Sequence, residues 1–177
     1  MEVEESQMAR KTCKIYVVPK SKLSSDDWRE LGFMVRELQD QERGWLDDIE
    51  DKQQARGVFM TRTIWSEMTL KEAKHLFKTD NLIIVARDPN DQKIIGFCAV
   101  EKKPSLGWAT CDALFVKKEW RGRKIASTFL EIALEKVKHS GLDSLDLRVS
   151  VKNKAAQALY KKLGFSKTAY QMEKWVA

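Results

Sequence analysis

The amino-acid sequence predicts an α/β fold in which helices flank a mixed sheet. Short apolar, β-branched runs that suit strands alternate with segments whose apolar residues recur at helical spacing. Two strand–helix units follow each other over residues 108–165. No repeat or long linker interrupts this order, so we expect a single domain over residues 13–177 behind a flexible tail at residues 1–12.

Composition narrows the class of protein. The 177 residues suffice for one domain with a sizeable core, and 43% hydrophobic with 33% charged residues is ordinary for a soluble protein. No apolar run approaches the roughly 20 residues of a membrane helix, and the acidic N-terminus lacks the layout of a signal peptide. We therefore expect a cytoplasmic or nuclear protein without a membrane partner.

The cysteines and histidines do not suggest a metal site. Cys13, Cys98 and Cys111 lack metal-type spacing, and only two histidines are present. Cys98 and Cys111 lie in apolar, strand-like runs, which favours buried structural thiols over a catalytic nucleophile. The net charge of +6 fits a phosphorylated ligand, nucleic acid or solubility alone.

The first half of the chain is predicted to hold one strand and three helices. The strand covers residues 14–18, and Ser25, Asp26 and Asp27 are predicted to cap the first helix. This helix carries its apolar residues at helical spacing: Leu31, Met34, Val35 and Leu38. An acidic helical region follows at residues 42–56, and a capping-box pattern at Thr69 begins a short helix that ends at Phe77.

The second half is predicted to be rich in strands. They cover residues 82–86, 94–100, 108–116 and 145–150, with one or two more within residues 167–176. One helix, closed by Gly141, has its apolar side formed by Phe129, Leu130, Ile132, Ala133, Leu134 and Val137. The last helix covers residues 154–163, with Asn153 as its cap.

A basic turn at residues 117–124 joins the strand at residues 108–116 to the helix that follows. A helix N-terminus presents unpaired backbone N–H groups and the positive end of the helix dipole. With cationic side chains beside it, such a turn suits a phosphate group. The sequence therefore predicts a phosphorylated cofactor here.

Two motifs in this region resemble those of the GNAT superfamily of acetyl-CoA-dependent N-acetyltransferases. Residues 121–126 resemble its Arg/Gln-x-x-Gly-x-Gly/Ala loop, and residues 153–165 resemble its Asn-x-x-Ala-x-x-Leu-Tyr-x-x-x-Gly-Phe helix. The specific match covers residues 108–165. It implies a mixed, mostly antiparallel sheet of six or seven strands with flanking helices.

The resemblance implies acetyl transfer from acetyl-CoA to a primary amine. The strand edge would pair with the pantetheine arm and polarise the thioester, and the loop amides would hold the pyrophosphate. The implied cofactor-binding residues are Leu114, Phe115, Val116, Arg121, Gly122, Arg123, Lys124, Ile125, Ala126, Ser127, Asn153 and Tyr160. Lys124 departs from the family, which usually has glycine there; it adds a charged contact or keeps the backbone from approaching the pyrophosphate.

Tyr160 is the candidate general acid. Asn153, Ala156 and Tyr160 are three and four residues apart, so they share one helix face. In the family, the tyrosine of this motif protonates the departing thiolate. The alternative is a core aromatic residue whose hydroxyl only finds a hydrogen-bond partner.

Asp112 is the candidate base. It lies two residues before Leu114 on an alternating strand, which places it on the face of Leu114 and Val116. Several small-amine acetyltransferases of the family carry a carboxylate at the matching position. Glu101 is the reserve candidate, and the alternative for Asp112 is a purely structural cross-strand hydrogen bond.

The sequence leaves the identity of the acetyl acceptor open. The acidic stretch at residues 47–51 would attract a polyamine or a lysine-rich tail, with Trp45 beside it, or is simply a solvated helix face. A small amine or polyamine is favoured; the alternatives are a protein lysine or N-terminus, and a non-catalytic acyl-CoA-binding module. We do not expect nucleic acid to bind, and because dimers are common in the family a homodimer is one expected state.

Overall fold

Five strands and three helices make up the described part of this computed structural model, residues 13–47 and 82–169. The strands are β1 Lys14–Val17, β2 Leu82–Arg87, β3 Ile94–Lys103, β4 Trp108–Val116 and β5 Ser144–Leu147. The helices are α1 Ser25–Asp47, α2 Ile125–His139 and α3 Lys154–Lys162. The predicted tail at residues 1–12 and helix at residues 69–77 lie outside the described residues.

The strands form one mixed sheet in the order β1-β2-β3-β4-β5. The first three pairings are antiparallel, and β4 pairs with β5 in parallel because α2 crosses between them. The sheet is therefore mixed, as predicted, but the described residues contain five strands and not six or seven. Residues 167–169 have no strand conformation, and the rest of the predicted final strand lies outside the described residues.

The start of α1 differs in detail from the prediction. Of the predicted group Ser25, Asp26 and Asp27, only Asp27 takes part in the cap, and its partner is Ser24. Ser24 Oγ accepts a hydrogen bond from the Asp27 N–H at 3.1 Å, and Asp27 Oδ2 accepts one from the Ser24 N–H at 2.9 Å. This reciprocal pair is a capping box. Residues 42–47 continue α1 and do not begin a separate helix.

Two apolar clusters cover the two faces of the sheet. Under α1, Leu31, Met34 and Val35 are buried with Phe97 and Phe115 of the sheet. Under α2, the buried helix residues contact the other face; they are Ile125, Phe129, Leu130, Ala133 and Val137. The helical spacing predicted from the sequence therefore identifies the core-facing side of both helices.

A β-bulge interrupts β4 at Asp112. Ala113 lies opposite Ala99 and Cys111 lies opposite Val100, so Asp112 has no opposite residue in β3. Consequently both Cys111 and Leu114 pack in the cluster under α2, although they are three residues apart. Strict alternation is interrupted here, so it no longer determines which face of the sheet carries the Asp112 side chain.

The pairing of β4 with β5 ends early. It runs from Trp108 opposite Ser144 to Cys111 opposite Leu147, where β5 ends. β4 continues to Val116 while remaining paired with β3 on its other side. The last five residues of β4 therefore have an edge that no strand covers within the described residues.

Candidate active site

The basic loop after β4 is held in shape by its backbone and by one buried aromatic residue. A 3-10 turn at Lys118–Trp120 follows β4, and Trp120 is buried in the cluster under α2. Gly122 has a φ of 76° and Lys124 a φ of 63°, both in the left-handed region. This region favours glycine, so Lys124 adopts a conformation that costs a lysine more than the glycine usual in this motif.

The N-terminus of α2 opens directly from this loop. Lys124 is the N-cap residue, and its side chain makes no capping hydrogen bond. The first helical bond runs from the Thr128 N–H to the Lys124 carbonyl at 3.0 Å. The preceding N–H groups, of Ile125, Ala126 and Ser127, therefore have no acceptor within the helix and suit an anion.

Two arginines of the loop have side-chain partners within the protein. Arg121 Nε donates to the Val116 carbonyl at 2.8 Å, and its guanidinium lies 5.7 Å from the centre of the Phe115 ring. Arg123 donates to the Glu119 carbonyl at 3.2 Å and lies 4.6 Å from the centre of the Trp120 ring. Both guanidinium groups therefore have partners within the protein, whereas the N–H groups of the first turn of α2 have none within the helix.

The uncovered edge of β4 carries two N–H groups. The Lys117 N–H donates to the Ile95 carbonyl at 2.9 Å, toward β3. Because successive residues of a strand point their N–H groups to opposite edges, those of Leu114 and Val116 point away from β3. Phe115 is different: its N–H faces β3 and its side chain is buried under α1 beside Phe97, so it does not face this edge.

Helix α3 begins at a side-chain cap and carries Tyr160 near its end. Asn153 Oδ1 accepts a hydrogen bond from the Ala156 N–H at 3.0 Å, so this oxygen caps the N-terminus of α3. Tyr160 is half-buried, and its ring centre lies 5.9 Å from that of Phe165. Tyr160 and Leu114 both pack against the cluster under α2, so the candidate acid lies on the same face of the sheet as the Leu114 side chain.

Asp112 lies among charged groups at the bulge. Desolvation, followed by the nearby Glu101 carboxylate, raises the pKa of Asp112, while Lys103 and Arg148 lower it by a smaller amount. Glu101 pairs with Lys103 at 3.2 Å. A carboxylate with a raised pKa is a stronger base than an ordinary aspartate, which suits the abstraction of a proton. The sequence reasoning missed Arg148 because its predicted strand ran on to Ser150.

The two central cysteines are buried, as predicted. Cys98 and Cys111 lie on neighbouring strands with their Sγ atoms 3.6 Å apart, and both are free thiols. The contact with Cys111 and burial together raise the pKa of Cys98 well above its ordinary value. A protonated, buried thiol does not act as a nucleophile.

Two other features are absent from the described ranges. These ranges hold no group of three or more His, Cys, Asp or Glu side chains placed to ligate a metal. No helix within them has the length and apolar character needed to cross a membrane. The side chains of the acidic stretch at residues 47–51 and of Trp45 lie outside what the structure describes.

The uncapped N-terminus of α2 and the uncovered edge of β4 both lie at the end of β4, and together they suit an extended ligand that carries an anionic group. The sequence matches the Acetyltransferase (GNAT) family over residues 11–165, and the chain belongs to that family. An uncharacterised N-acetyltransferase of Methanocaldococcus jannaschii is 33% identical over a segment that covers 38% of this chain and 37% of that protein. The chain thus matches little more than a third of the length of this curated relative.

Solved structures share the fold at low sequence identity. A putative acetyltransferase from Pyrococcus furiosus superposes with a TM-score of 0.68 at 19% identity, over 93% of this chain and 100% of that one. The PaiA N-acetyltransferase from Thermoplasma acidophilum, solved in complex with coenzyme A, has a TM-score of 0.63 at 22% identity, over 90% and 93% of the two chains. At this identity, the likeness concerns the fold.

Proposed function

We propose that this protein is an N-acetyltransferase that moves an acetyl group from acetyl-CoA directly to a primary amine. The observation that carries the proposal is the juxtaposition of the uncapped α2 N-terminus with the uncovered edge of β4. One element suits the pyrophosphate and the other suits the extended pantetheine arm. Acetyl-CoA supplies an activated acetyl thioester when it is bound.

The described residues fit this co-substrate by their chemistry. The N–H groups of Ile125, Ala126 and Ser127 would hold the phosphates, and Lys124 would add a positive charge beside them. The N–H groups on the free edge of β4 would pair with the amide groups of pantetheine. Asn153 and Tyr160 were also predicted to contact the co-substrate; for Asn153, the amide nitrogen is the atom left for this role, since its oxygen caps α3.

Proton transfer is assigned to two side chains. Asp112 would accept the proton that the amine loses, directly or through a water molecule, as the nitrogen bonds to the acetyl carbon. An N–H on the free edge of β4 would donate to the carbonyl oxygen as it gains negative charge; such a donor often contributes about 3 kcal/mol. Tyr160 would protonate the thiolate as the carbon–sulfur bond breaks.

The test is CoA release from acetyl-CoA with a panel of acceptors: spermidine, free lysine, an aminoglycoside and a lysine-bearing peptide. We expect saturable release with at least one class of amine. Release with the peptide alone would indicate a protein-modifying enzyme. CoA binding without release for every acceptor would contradict the proposed catalysis and leave an acyl-CoA-binding module.

A further inference from the structure

Two oppositely charged residues, Asp112 and Arg148, lie where the pairing of β4 with β5 ends. Cys111 and Leu147 form the last pair, so Asp112 of β4 and Arg148, which directly follows β5, are the first residues beyond it. Both residues are exposed. Their positions directly after the last pair place the two charges near one another, and the positive charge of Arg148 accordingly lowers the pKa of Asp112 against the effect of desolvation.

These two charges remain available to a ligand. Neither Asp112 nor Arg148 makes an ion pair within 4.0 Å among the residues that the structure describes. The other two charges of this group, Glu101 and Lys103, pair with each other at 3.2 Å. Among the described residues, Glu101 and Lys103 therefore form an ion pair, whereas Asp112 and Arg148 are two opposite charges without an ion-pair partner.

We propose that Arg148 binds an anionic group of the acceptor, so that the preferred acceptor carries a carboxylate close to its reactive amine. This inference rests on the proposed function and specifies its substrate class. The planar guanidinium matches a carboxylate with two parallel hydrogen bonds, while Asp112 receives the amine. A polyamine without an anionic group would instead meet the positive charge of Arg148 unpaired.

The experiment compares amines that differ only in a carboxylate. Lysine is paired with cadaverine, and ornithine with putrescine. The wild-type protein should prefer the carboxylate-bearing member of each pair by about ten-fold or more in kcat/KM, the range of a charge-assisted hydrogen bond. Arg148→Gln should remove this preference, and Arg148→Lys should restore part of it.

Controls separate specificity from general damage. Arg29→Gln removes another exposed arginine, on α1, and should preserve the preference. The dissociation constant for CoA should be the same for Arg148→Gln and the wild type. Equal kcat/KM within each pair, or a weakening of CoA binding in Arg148→Gln, would overturn the inference.

A second measurement makes the result independent of turnover. If no amine is acetylated, the proposed catalysis fails. Calorimetric binding of the same four amines to the CoA-saturated protein then tests whether Arg148 binds a carboxylate of the acceptor. Tighter binding of lysine and ornithine that Arg148→Gln abolishes would support the inference. Equal or undetectable binding of both members of each pair would overturn it.

Discussion

At the scale of single residues, Lys124 adopts an unfavourable backbone conformation and places a positive charge at the N-terminus of α2. Its φ of 63° disfavours any residue except glycine, and it is the N-cap of α2. In the described part of the chain, no hydrogen bond or ion pair engages its ammonium group. Arg121 contacts β4 and α1 and Arg123 contacts the loop, whereas the Lys124 ammonium has no such partner among the described residues; we propose that it attracts a phosphate.

Lys124→Gly should therefore stabilise the protein and weaken CoA binding. We expect a gain of about 0.5–1 kcal/mol in the free energy of unfolding, because relief of the left-handed strain exceeds the entropic cost of glycine. CoA binding should weaken about three-fold through loss of an exposed charge contact. Urea unfolding and calorimetry measure the two effects. Lys22→Ala, at an exposed lysine outside the loop, should leave CoA binding unchanged; tighter binding by Lys124→Gly would contradict the role of the charge.

Tyr160→Phe tests the general acid. The ring and its contact with Phe165 are preserved, so stability should change little. Because the thiolate is already a fair leaving group, we expect kcat to fall about 10²-fold, at the low end of general-acid effects. The dissociation constant for CoA should be unaffected. Steady-state kinetics with an acceptor from the panel provide the measurement, and an unchanged kcat would remove Tyr160 from the mechanism.

Asp112 predicts the pH dependence of the reaction. The base must be deprotonated, so kcat/KM should fall as pH drops through the pKa of Asp112, which is raised above its ordinary value of 3.8. Asp112→Asn should remove this acidic limb along with most of the rate. Glu101→Gln removes a carboxylate that raises this pKa, so the limb should move to lower pH. A limb that persists in Asp112→Asn would assign the base elsewhere, and loss of the limb in Glu101→Gln would assign it to Glu101.

At the scale of elements, α3, the helix that carries Tyr160, begins at the side-chain cap of Asn153. Asn153→Ala removes the acceptor for the Ala156 N–H and should lower the free energy of unfolding by about 1 kcal/mol. Asn153→Asp preserves the capping oxygen and should preserve stability. If the Asn153 amide also contacts CoA, the aspartate should weaken CoA binding by placing a negative charge there. Thermal unfolding and CoA calorimetry separate the two roles; equal stability of the alanine and aspartate variants would contradict the capping role.

At the scale of the whole molecule, a half-buried ion pair joins the two described segments. Arg87 of β2 contacts Asp27 of α1 at 2.7 Å, with side chains 19% and 12% exposed. Burial raises the pKa of Asp27, but the hydrogen bonds from Arg87 and Ser24 outweigh it, and the net result is a lowered pKa. Asp27 therefore adds stability above its ordinary value of 3.8, and this stability is lost as pH falls through the lowered pKa.

Arg87→Met should lower the free energy of unfolding by about 1–2 kcal/mol at neutral pH. This loss lies between the losses expected when an exposed ion pair and a fully buried ion pair are broken. The difference from the wild type should shrink as Asp27 becomes protonated below pH 3.8. Urea unfolding across this pH range provides the measurement. Arg29→Met is the matched control, because the Arg29–Asp26 pair is 68% and 86% exposed and should contribute less than about 0.5 kcal/mol. Equal losses in both variants would contradict the importance of burial.

The sequence by itself determined the features that depend on neighbours along the chain. Helical spacing identified Leu31, Met34 and Val35 as core residues, and β4 was predicted with both of its ends, Trp108 and Val116. The motifs around Arg121 and Asn153 indicated the family, and Asn153 was correctly predicted as a cap. Such signals survive in the sequence because periodicity and capping are local properties.

Only the tertiary structure decided how distant segments meet. The bulge at Asp112 depends on the register between β3 and β4, and the early end of β5 leaves the β4 edge uncovered. Both bring Asp112 and Arg148, 36 positions apart in the sequence, to one boundary. A strand's side-chain pattern does not encode where its partner stops, because register is set by packing across the whole sheet. The open pair of charges on which the acceptor inference depends is therefore a property of the fold.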